Sequence, residues 1–166
     1  MSVITVSKKY EDVLEILQRK GTLPIVIVGC DKCAKTSKTG GTDEVREMRG
    51  LLRSSELKLH EVAGLVDAVE EGLCDPKAVQ ERMMPLKKSA SEYQILVLAC
   101  GAGLKCMRDA LPGVRIVPGL DTLGPGVKGE LACLACGDCR FGEDGCKMQR
   151  VAQAQSSLLT DGYACH

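Results

Sequence analysis

The chain has 166 residues, with 22 Lys plus Arg against 22 Asp plus Glu, so its formal net charge is zero. A balanced charge argues against a nucleic-acid protein, which needs a basic surface to displace counterions from phosphates. The aromatic residues are Tyr10, Tyr93, Tyr163 and Phe141, too few for a base-stacking platform. The 45% hydrophobic content is enough for a genuine core, and the length suits one domain plus a small annex. No apolar run approaches the ~20 residues that a membrane helix requires. The first nine residues lack the apolar h-region and small-residue cleavage site of a secretory signal, so a cytoplasmic protein is expected. In that compartment thiols stay reduced, and ten cysteines then read as metal ligands rather than disulfides.

In chain order, the first helix is expected around Val13, Leu14, Ile16 and Leu17, with Glu11 and Asp12 in its first turn and Gly21 closing it. Leu23, Pro24, Ile25, Val26, Ile27 and Val28 form a β-branched run typical of a strand buried on both faces, and Gly29-Cys30 follows it. Thr42 is the expected cap of a helix bearing Val45, Met48, Leu51 and Leu52. A weaker strand falls somewhere in 58–69. Asp75 and Pro76 then suit the N-cap and first position of a helix with Ala78, Val79, Met83 and Leu86, which Pro85 kinks or ends. A second buried strand, Ile95-Leu96-Val97-Leu98-Ala99, runs straight into Cys100. A helix with Leu104, Met107 and Leu111 follows, stopped by Pro112-Gly113, and a short strand covers 114–117.

Strands alternating with helices predict an α/β fold, a Rossmann-like parallel sheet flanked by helices, over residues 1–118. The glycines and prolines of 118–129 read as a linker. The unit beyond it, within 119–166, is too small to hold itself by burial alone, so its cysteines would have to staple it. A ferredoxin-like iron–sulfur unit is expected there.

Two cysteine groups carry the chemistry. Cys133, Cys136 and Cys139, spaced by two residues, can wrap one face of a cubane cluster, with Cys146 as the fourth ligand. Zinc is the competing occupant, although its four-thiolate sites usually join two well-separated C-x-x-C pairs. A helix over 148–159 would return Cys165 toward the site as a substitute ligand. The second group is dispersed: Cys30, Cys33, Cys74 and Cys100. Cys30 and Cys100 follow buried strands, which puts them at the carboxyl edge of the sheet, where open α/β sheets bind ligands. Cys74 precedes a helix and suits the same edge, so the four are expected to converge on one 4Fe–4S cluster. The alternative for these residues is inert buried thiols. Cys106, inside a helix, reads as core.

Weaker signals lead nowhere catalytic. Gly101-Ala102-Gly103 after a strand suggests a dinucleotide loop, but Cys106 stands where the third glycine belongs. His60 and His166 lack nucleophile partners, and pairs such as Asp43-Glu44 and Glu70-Glu71 are helix-end or solvated charges.

The ordered set Val28-Gly29-Cys30-Asp31-Lys32-Cys33, Gly40-Gly41-Thr42-Asp43-Glu44-Val45, Cys74-Asp75-Pro76, Leu98-Ala99-Cys100-Gly101-Ala102-Gly103, Val117-Pro118-Gly119-Leu120-Asp121-Thr122-Leu123 and Cys133-Leu134-Ala135-Cys136-Gly137-Asp138-Cys139 resembles one family along nearly the whole chain. It is similar to the MetV-type iron–sulfur small subunit of anaerobic methylenetetrahydrofolate reductase, related to the methylenetetrahydrofolate reductase C-terminal domain family. The family often has a further cysteine where Ser37 stands, and its members tend to end in a different cysteine-bearing tail from 158–166 here. The resemblance implies a non-catalytic electron-transfer subunit that works with a flavin-containing methylenetetrahydrofolate reductase catalytic subunit, in the methyl branch of the acetyl-CoA pathway. Further redox subunits are compatible with it. Two 4Fe–4S clusters suit that role, since they move single electrons while a flavin converts them to hydride. The competing readings are a zinc-stapled assembly subunit without redox function and a thioredoxin-like enzyme with Cys30 in a reactive C-x-x-C.

Overall fold

The computed structural model describes residues 2–19, 23–55, 57–87, 92–126, 132–133 and 139–140. The expected helix over 148–159 lies outside them, as do Cys136, Cys146 and Cys165.

A parallel sheet forms the centre. Its strands are β2 (Ile25–Cys30), β3 (Ala68–Val69), β4 (Gln94–Leu98) and β5 (Arg115–Pro118), in the spatial order β3-β2-β4-β5. β2 and β4 pair from Ile25↔Gln94 to Gly29↔Leu98, and every residue of both strands is buried. Full burial explains why both read as unbroken apolar runs rather than alternating ones. Each Val, Ile or Leu removed from water there contributes about 1.5–3 kcal/mol before chain entropy is counted. The one polar residue in these strands, Gln94, donates from Nε2 to the carbonyls of Leu17 and Leu23 at 3.3 and 3.2 Å. It thereby ties the amino edge of the sheet to the end of the first helix.

Helices flank this sheet. α1 (Tyr10–Gln18) buries Val13 and Leu17, and α3 (Thr42–Arg53) buries Val45 and Leu52, residues four and seven apart on one helical face. α2 (Cys33–Thr36) is a single turn after β2. α4 (Pro76–Arg82) starts as expected, with Asp75 accepting from the N–H groups of Lys77 and Ala78 at 2.9 and 3.3 Å. It ends before Pro85, which falls in the short α5 (Met84–Lys87). α6 (Gly101–Ala110) buries Gly103 and Met107 and connects β4 to β5.

A second sheet, not expected from the sequence, stands beside the parallel one. β1 (Ser2–Ser7) pairs antiparallel with β6 (Leu120–Gly126), with a bulge where Ile4↔Gly124 gives way to Thr5↔Thr122. Residues 118–129, read as a linker, therefore contain a strand whose partner is the start of the chain. β6 continues into β7 (Ala132–Cys133) and β8 (Cys139–Arg140). The strand expected in 58–69 reduces to β3 and one bridge, Ile25↔Leu59. The expected parallel sheet flanked by helices is thus present, whereas most of the cysteine-rich unit lies outside the described residues. Among these residues no helix is long and apolar enough to cross a membrane.

Candidate metal centre

The strand order creates the site. From β2 the chain crosses through α3 to β3 on one side; it then returns past β2 to β4 and moves on through α6 to β5 on the other. The connections leaving β2 and β4 therefore diverge at the carboxyl edge, the position at which open α/β sheets bind ligands. Cys30 is the last residue of β2, and Cys100 lies two residues beyond the end of β4, as the N-cap of α6. Both are nearly sealed from solvent, at 3% and 5% exposure. Cys33 opens α2 and is half-buried, and Cys74, in the turn before α4, is exposed.

Two of the four thiols, Cys30 and Cys74, have surroundings that oppose their ionisation. Burial pushes the Cys30 thiol above its ordinary pKa, against the pull of N–H groups from Leu73 and Lys32, and the nearby Cys100 and Cys33 raise it further. The Leu73 N–H stands 3.5 Å from Cys30 Sγ. Burial also raises Cys74, and next come Cys30, Cys100 and Cys33, each opposing its ionisation. Burial is thus the main cause at both Cys30 and Cys74, with smaller contributions from other cysteines of the set.

Among the described residues, no three His, Cys, Asp or Glu side chains are arranged as ligands of a single metal ion. Such an ion requires all its thiolates within about 2.3 Å of one point. A cubane spreads its four ligands over four iron corners and so asks for a looser set. The donors present, four cysteines with N–H groups directed at one of them, fit an iron–sulfur cluster in type and number.

The surrounding loop is fixed by contacts that sequence reasoning missed. Gly40 lies against β4, and a Cβ there would stand 2.3 Å from the Leu98 carbonyl oxygen. Its own carbonyl accepts from the Cys30 N–H at 2.7 Å. A Cβ on Gly29 would meet that same carbonyl oxygen at 2.5 Å, so the loop can fold back only over a bare backbone. Asp31, between two of the cysteines, accepts from the Thr42 N–H at 3.0 Å and Thr42 Oγ1 at 3.2 Å, and pairs with Lys35 at 3.0 Å. Burial raises its pKa, but these bonds outweigh that effect and hold the carboxyl below its usual range.

Thr42 is thus not the cap of α3. Gly41 occupies the N-cap position, its N–H donates to Glu44 at 2.8 Å, and Asp31 caps the helix from across the loop. The other end of the loop is tied to β1, where Thr5 and Thr39 hydroxyls are 2.6 Å apart and the Thr5 N–H donates to Ser37 Oγ at 3.3 Å. No local pattern signals the Asp31–Thr42 and Thr39–Thr5 contacts, because each joins separate elements of the fold.

The second cysteine group is described at two positions. Cys133 and Cys139 are directly opposed in the β7–β8 register, and Cys133 also pairs with Gly126 of β6. His60 is exposed and stacks on Tyr93 with ring centroids 6.1 Å apart. Comparison of the chain with family models, curated proteins and solved structures returns no match.

Proposed function

We propose that this chain is an iron–sulfur electron-transfer protein in which Cys30, Cys33, Cys74 and Cys100 hold a 4Fe–4S cluster. What supports this reading is chain placement: Cys30 ends β2 and Cys100 follows β4 on either side of the switch point, Cys33 lies in the connection after β2, and Cys74 lies in the connection after β3. Without a cation, such a set is unfavourable, because burial and mutual repulsion both resist forming thiolates. A positively charged iron core inverts that balance and deprotonates its thiol ligands. The cluster supplies one-electron transfer when bound, with a potential that depends on burial and on hydrogen bonds to sulfur. The chain contributes both. Cys30 and Cys100 close the inner side against water, and the Leu73 and Lys32 N–H groups stabilise charge on Cys30 Sγ. Cys74 leaves an exposed side through which a redox partner can approach.

A second 4Fe–4S cluster at Cys133, Cys136, Cys139 and Cys146, with Cys165 as substitute ligand, is supported by the two-residue spacing and by the Cys133↔Cys139 register. The resemblance in cysteine order supports a flavin-containing methylenetetrahydrofolate reductase catalytic subunit as partner and a cytoplasmic setting. The chain would relay electrons to or from that subunit and perform no carbon chemistry itself.

Removing one ligand from the first site tests this assignment. In the anaerobically purified full chain, Cys33→Ala should abolish one reduced-cluster EPR signal and leave the other. An unchanged pair of signals refutes Cys33 as a ligand.

A further inference from the structure

Cys106 is the fifth cysteine in the sheet-bearing part of the chain and has no place in the four-thiol set. It sits six residues beyond the Cys100 N-cap on α6 and is half-buried. Its sulfur is 3.6 Å from the carbonyl oxygen of Cys74, within reach of an S–H···O bond.

The same helix grips the same turn at a second point. A Cβ on Gly103 would stand 3.0 Å from the Cβ atoms of both Leu73 and Ala99, so α6 approaches the turn this closely only because residue 103 has no side chain. Glycine here serves helix-to-turn packing rather than the approach of a phosphate. α6 therefore carries one thiol, Cys100, on its own N-cap and holds the backbone of another, Cys74, through Gly103 and Cys106.

That backbone matters because Cys74 is the exposed member of the four, and its neighbour Leu73 is fully buried and donates to Cys30 Sγ. A shift of the turn would move an exposed ligand and an N–H···S bond together. Contacts that orient ligands govern how tightly a metal site holds and how it is tuned.

We propose that Cys106 is a positioning residue, not a ligand: its thiol donates to the Cys74 carbonyl and, with Gly103, fixes the turn from which Cys74 reaches the cluster. This rests on the cluster reading of the four-thiol site. Its sulfur meets a backbone carbonyl oxygen, and that contact separates it from the ligand set.

The test uses the anaerobically purified full chain, comparing wild type with Cys106→Ala and Cys106→Ser. The readouts are iron per chain, the rate of iron release to a chelator, and the reduction potential of the EPR signal lost in Cys33→Ala. Both variants should keep the wild-type iron content. S–H···O bonds are weak, so Cys106→Ala should release iron from that site roughly two- to five-fold faster. Its potential should also shift, while Cys106→Ser, which keeps a donor, should restore most of both properties.

Loss of a cluster in both variants would overturn the inference by making Cys106 a ligand. Wild-type release rate and potential in Cys106→Ala would overturn it by making the contact inconsequential. Iron-free wild-type protein would overturn the cluster reading and this inference with it, whereas a silent Cys106→Ala in an iron-loaded protein overturns the inference alone.

Discussion

Gly40→Ala is the sharpest perturbation of the loop that bears Cys30 and Cys33. The added methyl would stand 2.3 Å from the Leu98 carbonyl oxygen, 2.9 Å from its carbonyl carbon and 2.9 Å from its Cβ. Two of these three atoms are backbone in a fully buried strand, so no side-chain rotation relieves the clash. The loop itself has to move, and with it the Gly40 carbonyl that receives the Cys30 N–H. Overpacking typically costs about 1–3 kcal/mol, and a backbone clash belongs at or beyond the upper end. At roughly 2–4 °C per kcal/mol for a chain of this size, a cost of about 3 kcal/mol lowers Tm by about 6–12 °C. Gly50→Ala supplies the control. Gly50 lies in α3, and a Cβ there would meet nothing within 4 Å, so the same chemical change should raise stability by about 0.5–1 kcal/mol. Thermal unfolding followed by circular dichroism, with and without bound metal, reads both variants. Equal melting temperatures for wild type and Gly40→Ala would refute the packing of this loop against β4.

Asp31→Asn should lose part of the cap on α3, about 0.5–2 kcal/mol at neutral pH. Because the Asp31 carboxyl is held below its unfolded pKa, its contribution is fully present above about pH 4 and disappears as pH falls through the depressed folded value. Urea unfolding should therefore show the wild-type advantage at pH 6 shrinking below about pH 4; a gap independent of pH would contradict that origin. Thr39→Val removes the hydroxyl pair with buried Thr5 and should cost about 1–3 kcal/mol, since the Thr5 hydroxyl is left buried without that partner. An unaltered urea midpoint would show that this contact does not anchor the loop.

What the sequence made legible follows from how local each signal is. β2 and β4 were readable because central parallel strands are buried on both faces and become continuous apolar runs. Cys30 and Cys100 could be assigned to one sheet edge for the same reason, since each follows such a run. Asp75-Pro76 announced α4 through two residues that act on their own turn. β6 was hidden because Gly124, Pro125 and Gly126 carry turn chemistry; its pairing with β1, at the opposite end of the described chain, makes it a strand. β1, a short polar-flanked segment, depends on the same distant partner. The cap of α3 was misassigned for a related reason. Thr42 has the right chemistry locally, but Asp31, eleven residues earlier, reaches the helix terminus once the Gly29–Gly40 contact has folded the loop. Cys106 packs against the core as helical spacing suggested, but that spacing says nothing of the carbonyl from another turn that meets its sulfur.

The most direct measurement of the central claim is the iron, acid-labile sulfide and zinc content of the full chain purified without oxygen. Two four-cysteine cubane sites predict about eight irons with matching sulfide per chain and no stoichiometric zinc. One zinc per chain with no iron would contradict the electron-transfer account and leave a metal-stapled assembly protein in its place.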